Sequence, residues 1–569
     1  MIKILSRTFC TAAVFCITSI SLASAQTVVP GSADSSRVQK RLSLDTLPEI
    51  TGERVVKVPE YITTTAPAGA EKQKLTLREV IVDGMTAYEE SDLASIYQNL
   101  LGTEISLADV FGMAERLTVK YRNDGYILSQ VVVPPQEIEN GRIRLQVVEG
   151  YIDTVTIEGA PSERIRKALH RMADKMVAAP PLSSKKLEHY LLLMNDLPGI
   201  SVRSVLSPST TQPGAADITL LVDYKPFDIF AQVDNRGSRF LGPLQASLAG
   251  RSNSALGRGE SIDLQYVTAP DGFPESELNF IALDYTETIN ARGTRINIGT
   301  SFTNTEPGFT ISQFDVRGRS KNFHIEVTHP FIRSRSKNLF GSLRFDVNDI
   351  RRTDNITTDR IEDRIRALRA NGLYQFTDSL IGLNTIDVTL SQGLNILNAR
   401  EAGQANLTRD AGREDFTKFE AEITRLQRVT NNVSVLAGVI GQKSNHILLS
   451  SEEFGVGGSE YGRAYDNSEI VGEEGFAAKL ELQIDDPVTV PHIQGYQLYG
   501  YYDIGRVYDP DNSEPADQRR SIAAVGAGIR FDITGNISGS AEVAVPLTRD
   551  VETNGDKTPR GFFSLSASF

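Results

Sequence analysis

The chain has no tryptophan and only two cysteines, Cys10 and Cys16, both within its first 25 residues. Around them Lys3 and Arg7, an apolar run from Ala12 to Leu22 and the small box Ala23-Ser24-Ala25 stand in the order that signal peptidase recognises. Residues 1–25 are therefore expected to be removed after Ala25. Neither cysteine has the small-residue box upstream that lipid modification needs. The mature chain holds no thiol, which excludes disulfide staples, thiolate metal sites and cysteine nucleophiles. Beyond the signal no run of about eighteen apolar residues occurs, so no helix is expected to span a bilayer.

Positive charge is also scarce. Without Lys3 and Arg7 the 59 basic residues become 57, and against 72 acidic ones the net charge is −15. Such a surface repels phosphate backbones, and no nucleic-acid partner is expected. The glycine-dense stretch GGSEYGRAYDNSEIVGEEG, Gly457 to Gly475, lacks the Gly-Lys-Ser/Thr ending of a phosphate-cradling loop. GQKS at Gly441 and GDKT at Gly555 fail the same test. The histidines, His170, His189, His324, His329, His446 and His492, show no His-Glu-x-x-His spacing, and His324 and His329 would face opposite sides of one strand. Asp485-Asp486 before Pro487 reads as a turn, and no local motif proposes a serine hydrolase. No enzyme activity, cofactor or metal is expected.

What is present is periodicity. Residues 26–73, interrupted by Pro30, Pro48, Pro59 and Pro67, read as a linker. Within it Asp34 to Leu44 offers an N-cap and Val38 and Leu42 four apart, a short helix that could not stand alone in water. From Lys74 to Lys225 a repeat emerges: Val80-Ile81-Val82-Asp83-Gly84 is echoed 75 residues later by Val155-Thr156-Ile157-Glu158-Gly159. Helical patterns follow each copy, Glu89 to Leu100 with Leu107 to Asn123 and Glu163 to Met176 with Ser183 to Leu197. Each unit closes with two strand-like runs, giving two tandem α+β domains at 74–150 and 151–225.

From residue 226 to 569 the period is two. Phe227, Ile229, Ala231 and Val233 alternate with Asp228 and Gln232, Leu343, Phe345 and Val347 with Arg344 and Asp346, and Phe563, Leu565, Ala567 and Phe569 with serines. Each strand must separate an apolar from a polar environment. A soluble sandwich also alternates, but the signal segment, the missing thiols and the terminal Phe569 favour a barrel in lipid. With 40% hydrophobic residues the composition fits, because only alternate residues need face lipid. This length allows ~14 to 18 strands, enough for an aqueous channel. The expected fold is a transmembrane antiparallel β-barrel preceded by two small α+β domains.

These residues resemble the two-partner secretion transporters, the hemolysin secretion/activation proteins of the ShlB/FhaC/HecB type, within the POTRA-containing outer-membrane barrel superfamily. Tyr121 to Ile152 is similar to that family's POTRA signature, with Gly125-Tyr126, Pro134-Pro135-Gln136 and Val148-Glu149-Gly150 in order. VDNRGSRFLG (Val233 to Gly242) and NSALGRGESI (Asn253 to Ile262) resemble the first barrel hairpin, and HPFIRSRSKNLF (His329 to Phe340) and QKSNHILLSSEEFGVGG (Gln442 to Gly458) later strands. The resemblance implies sixteen strands, two POTRA domains in the periplasm of a Gram-negative cell and an N-terminal helix that plugs the pore, here residues 34–44.

It also implies a loop that folds into the barrel with a Val/Ile-Arg-Gly-Phe/Tyr tip, whose arginine meets the aspartate of a Phe-x-Asp-x-Gly strand. Here the tip reads Gly462-Arg463-Ala464-Tyr465 and the strand Tyr501-Tyr502-Asp503-Ile504-Gly505, with Gly457, Gly458 and Gly462 shaping the turn. Parity places Tyr501, Asp503 and Gly505 on the lumen face. Ala464 replaces a glycine, so either it adopts a left-handed backbone at ~1 to 2 kcal/mol or Gly462 takes the turn. The implied function is secretion of one large partner polypeptide, β-helical once folded, captured by the POTRA domains and passed through the barrel. Outer-membrane lipid and the barrel-assembly machinery, through the strand ending at Phe569, are the other implied partners. An insertase for other barrels and a porin are the alternatives.

Overall fold

The computed structural model describes residues 29–42, 65–177, 181–212, 214–270, 276–354, 360–486, 493–511 and 518–569. The signal segment 1–25, residues 43–44 of the expected helix, Pro48, Pro59, Pro487 and His492 lie outside the described residues.

The internal repeat becomes two units of the same design. In the first, Arg142–Val148 is the central strand, parallel to Glu79–Asp83 and antiparallel to Gln130–Val132. In the second, Ala215–Tyr224 stands between Tyr151–Glu158, parallel, and Ile200–Pro208, antiparallel. The alternating Val80, Val82, Ile143, Leu145 and Val147 face helix Leu107–Asn123, which buries Met113, Leu117 and Tyr121. Ser106 begins that helix in a reciprocal capping box with Asp109, satisfying two backbone donors. Helices Glu163–Val177 and Ser184–Asn195 cover the second sheet with Leu169, Met172, Leu187 and Met194.

Two details depart from the sequence expectation. The pattern Glu89 to Leu100 does not make one helix but a short one, Glu90–Ala94, followed by a 3-10 turn, Gln98–Leu100. Asp92, Ser95 and Asn99 supply short polar side chains that compete with helical hydrogen bonds. A separate two-stranded ribbon, Lys74–Thr76 with Glu104–Ser106, accompanies the three-stranded sheet.

The signature residues build the first unit. Gly125 follows the long helix with φ of 100°, and Tyr126 packs edge-on against Tyr88 and Tyr121. After Pro134 and Pro135 the Gln136 side chain pairs with the backbone of Arg144 through two 2.8 Å hydrogen bonds, standing in for a strand. Gly150 lies so close to Leu128 that a Cβ would sit 2.4 Å from its carbonyl oxygen. Burial would raise the Glu149 carboxyl, but hydrogen bonds from Thr86, Ala87 and Tyr121 outweigh it and hold the group below its ordinary value.

Residues 227–568 form the expected closed barrel of sixteen antiparallel strands, from Phe227–Asp234 to Arg560–Ser568. The first and last strands pair over only five positions, the shortest join in the wall. Phe227, Leu248, Leu264, Leu480, Val543 and Leu565 point outward, whereas Asp263, Ser301, Asp346, Glu481, Asp503 and Glu542 are buried inside. No helix among the described residues is long and apolar enough to cross a membrane; the strands do so.

Two sequence readings are corrected here. Asp485 and Asp486 are not a turn but the end of strand Glu474–Asp486, paired with Gln497 and Tyr496, because the apolar alternation up to Ile484 keeps the strand in register. Of Gln442 to Gly458, only the ends are strand; the middle leaves the wall at Asn445 and enters the lumen. The GQKS segment lies within strand Val433–Ser444.

The second unit is fixed to the barrel rim nearest the α+β units. Arg333 at a strand end forks onto Asp196 at 2.9 and 2.7 Å, and Glu188 accepts the Arg335 N–H at 2.6 Å.

Gly159 tests the repeat. It has φ of 81° and a Cβ there would meet the Val222 carbonyl oxygen at 2.4 Å. Gly159→Ala should destabilise the second unit by about 2 kcal/mol or more, seen as a lower temperature for proteolysis of residues 151–225 in the intact protein. Gly112→Ala, in a helix with open space around it, should instead stabilise the first unit by roughly 0.5 to 1 kcal/mol.

Candidate functional site

Between strands Val433–Ser444 and Glu474–Asp486 the chain folds into the barrel, where a hairpin of Phe454–Val456 and Ile470–Gly472 carries a tip formed by residues 457–469. Val456 lies against strand Gly495–Tyr508 at Gly505, where a Cβ would come within 2.5 Å of it. Gly505 is the gap in the wall that admits the hairpin. At the tip Gly457, Gly458 and Gly462 all have positive φ, and a Cβ on Gly457 would sit 2.1 Å from the Asp466 carbonyl oxygen. Gly462, at φ of 83°, takes the left-handed turn. Ala464 is not among the left-handed residues and is fully buried, so the substitution at that position carries no backbone strain.

The turn aims Arg463 at Asp503. Nε and Nη2 donate to the two carboxylate oxygens, both at 2.9 Å, in a bidentate fork. The backbone N–H groups of Gly462 and Arg463 add bonds to Asp503 Oδ2 at 3.1 and 3.0 Å. Nη1 meets Glu481, which also pairs with Arg530 at 2.8 Å. The guanidinium lies 3.4 Å above the centre of the Tyr501 ring, whose hydroxyl donates to Glu542 at 2.7 Å. That bond accounts for tolerance of tyrosine in place of phenylalanine, since a buried hydroxyl needs a partner. Asp503 is fully buried and Arg463 nearly so. At such burial the attraction is largely offset by desolvation, but removal of one partner leaves the other charge stranded.

Tyr465 is buried too, its hydroxyl donating to the carbonyl oxygen of Ala523 or Arg549 and accepting the Arg549 N–H. Several contributors were not singled out in the sequence. Arg560, on the last strand, donates to the Ala464 carbonyl oxygen at 3.0 Å and to Asp466 at 2.7 Å. Arg236, just after the first strand, donates to the Arg463 carbonyl oxygen at 3.1 Å and pairs with Glu542 at 2.9 Å. The tip is thus held from both sides of the barrel join. Lumen parity marks Glu481, Arg530 and Glu542 as inward, but parity alone does not distinguish them from other lining residues.

Helix Ser35–Leu42 also lies inside the barrel. Gln39 bonds to Ser301 at 2.7 Å and also receives the Ser320 hydroxyl, and Arg41 donates to Gln245 at 2.9 Å. Arg37 joins the helix to the loop through Glu453 at 2.6 Å and the Ser450 carbonyl oxygen at 2.5 Å. Next to it, Glu453, Glu473 and Asp509 converge in a triad that could hold a cation. Arg409 occupies that role, contacting all three carboxylates, at 3.1 Å for Glu453 and 2.8 Å for Asp509. Glu452 pins the loop base to Arg369 and Lys418 at 2.7 and 2.8 Å.

The described histidines do not converge on one centre. His324 faces the lumen beside Asn297 and Asp284, His329 contacts Thr294 and the outward Phe331, and His189 sits at the rim against Arg333.

Residues 216–531 match the family described as haemolysin secretion/activation protein ShlB/FhaC/HecB, and residues 75–150 match the POTRA domain, ShlB-type. The chain is 24% identical over 478 residues to the heme/hemopexin transporter protein HuxB of Haemophilus influenzae strain 86-028NP, an alignment covering 82% of each chain. It is 21% identical over 559 residues to the outer membrane transporter CdiB of Escherichia coli, covering 94% of this chain and 89% of that one. The solved structure of CdiB from Escherichia coli superposes with a TM-score of 0.75 at 17% identity, covering 96% of this chain and all of the other.

Because the Gly462 and Arg463 amides bond to Asp503, hydrogen exchange reads the site directly. In Asp503→Ala the loss of the buried partner should cost about 3 to 5 kcal/mol and speed exchange at these two amides by at least ~100-fold, while the wall strands keep their protection. Unchanged exchange would show that the carboxylate does not hold the tip.

Proposed function

The chain belongs to the haemolysin secretion/activation protein family ShlB/FhaC/HecB, and from that premise we propose that Arg463 and Asp503 form the lock of a polypeptide-conducting pore. The protein is an outer-membrane transporter of two-partner secretion that works with a secreted partner protein, its POTRA-type region on the periplasmic side. The observation that carries the proposal is that two elements outside the wall, helix Ser35–Leu42 and the loop with Arg463, occupy the lumen of a closed sixteen-stranded barrel. Conduction of a polypeptide requires them to move.

The edge strands of the two α/β units, Glu79–Asp83 and Gln130–Val132 in one and Tyr151–Glu158 and Ile200–Pro208 in the other, supply main-chain donors and acceptors. A substrate segment adding there gains affinity from its backbone with little demand on side chains. In this reading the substrate passes through the lumen unfolded, and its folding outside, into a β-helix, gives direction without nucleotide hydrolysis. Surrounding lipid holds the barrel, and the C-terminal strand ending at Phe569 is the segment offered to the barrel-assembly machinery. The protein acts by conduction and has no catalytic step.

An insertase reading has one feature in its favour, the short join between the first and last strands. Gene deletion separates the readings: loss of one secreted protein supports secretion, a general loss of outer-membrane barrels supports insertion, and loss of solute uptake alone supports a porin.

For the lock, Arg463→Ala should reduce export at least ~100-fold with the barrel still inserted, since a buried charge is left without its partner. Normal export by that variant would refute it. Removal of residues 34–44 should raise single-channel conductance in planar bilayers, and an unchanged conductance would rule out the helix as a plug.

A further inference from the structure

Outside the lumen a cleft of about 750 Å³ opens between helix Glu163–Val177 of the second α/β unit and the periplasmic rim of the barrel. Its charged lining has four permanent cations, Arg164, Lys167 and Arg171 from the helix and Arg258 from a periplasmic turn, against one carboxylate, Glu287. Positions 164, 167 and 171 follow helical spacing, so the three side chains form a single stripe, on the face opposite to the buried Ile165, Leu169 and Met172. The imbalance is unusual for a chain whose overall charge is strongly negative.

The cations are not consumed by the protein. Arg164 donates to the Leu256 carbonyl oxygen at 3.2 Å, which fixes the helix against the turn, and Arg258 approaches Glu287 only to 4.0 Å. Lys167 and Arg171 have no ion-pair partner among the described residues, and both are exposed. Glu287 is already engaged by the Tyr285 hydroxyl at 2.6 Å. An anion is what this arrangement lacks.

The surroundings define which anion. Glu287 lies at the end of strand Leu278–Thr288, on the parity of Ile281 and Leu283, which point outward into lipid. Ile289, which lines the cleft, and Leu256, whose carbonyl oxygen receives Arg164, are 47% and 52% exposed. A ligand here therefore meets positive charge on the side of the α/β unit and, past Glu287 and Tyr285, the apolar Leu283 and Ile281 on the side of the membrane. We propose that this cleft binds the phosphate of an anionic glycerophospholipid in the periplasmic leaflet, its acyl chains lying along Ile289, Leu283 and Ile281. The arginine forks suit phosphate oxygens, and basic clusters at a membrane surface select anionic headgroups. The inference rests on the outer-membrane placement of the barrel. A lipid bridging helix and wall would hold the second unit in one orientation beneath the bilayer, alongside the Arg333 and Asp196 fork.

The test uses the full-length protein in detergent, titrated with phosphatidylglycerol or phosphatidylcholine and read by native mass spectrometry. Wild type should retain phosphatidylglycerol about tenfold better than phosphatidylcholine, and Lys167→Glu with Arg171→Glu should abolish that preference. Lys72→Glu with Lys185→Glu, the same charge change at two positions outside the barrel and away from the cleft, should leave it intact, and heat-modifiable migration on gels checks that each barrel is folded. Equal retention of the two lipids, or a preference that survives the Lys167 and Arg171 changes, overturns the proposal. Displacement by inorganic phosphate at the same concentration would assign the site to a free anion instead. Tighter binding of poly-glutamate at the same residues would assign it to an acidic polypeptide, and either outcome also overturns the lipid assignment.

Discussion

The interior of the barrel is organised by the fork between Arg463 and Asp503. A loop tip carries many polar backbone groups and would ordinarily stay in water. Here it is drawn inside because one carboxylate accepts two guanidinium bonds and two amide bonds at once. Glu481, Arg530 and Tyr501 surround the pair, so that its charges are compensated and its faces covered. The net energy of such a cluster is small compared with the cost of disrupting it.

The same logic extends outward from the tip. Glu452 attaches the loop base to the wall cations Arg369 and Lys418, Glu453 attaches it to Arg409 in the loop between strands Gly382–Gly393 and Thr417–Arg428, and Arg37 attaches the lumen helix to Glu453. The helix is eight residues long and could not persist in water. Its order comes from the lumen, where Val38 packs with Phe280 and Leu278 and its polar side chains bond to the wall. Helix and loop are therefore mutually supporting guests of one cavity, joined through Arg37.

Much of this was legible in the sequence because it depends on period and on backbone constraint. Strict alternation is required wherever lipid and water face opposite sides of a strand, so the barrel announced itself along residues 226–569. The repeat at Gly84 and Gly159 was visible because both positions need a left-handed backbone next to a carbonyl oxygen. The Arg463 tip and the Asp503 strand were found through a resemblance in motif; spacing alone could not pair residues from separate elements. Arg236, Arg560 and Glu542 escaped notice because their importance arises only when a loop from the middle of the chain meets its two ends. Asp485 and Asp486 misled because paired acids beside a proline look like a turn, whereas their strand is held by neighbours on both sides.

The arginines that grip the tip come from opposite termini of the wall, Arg236 beside the first strand and Arg560 on the last. Where five paired residues join those strands, the inserted loop acts as a cleat fastened across a short weld. Displacing the cleat would remove a contact on the first strand's side of the join and another on the last strand's side at once.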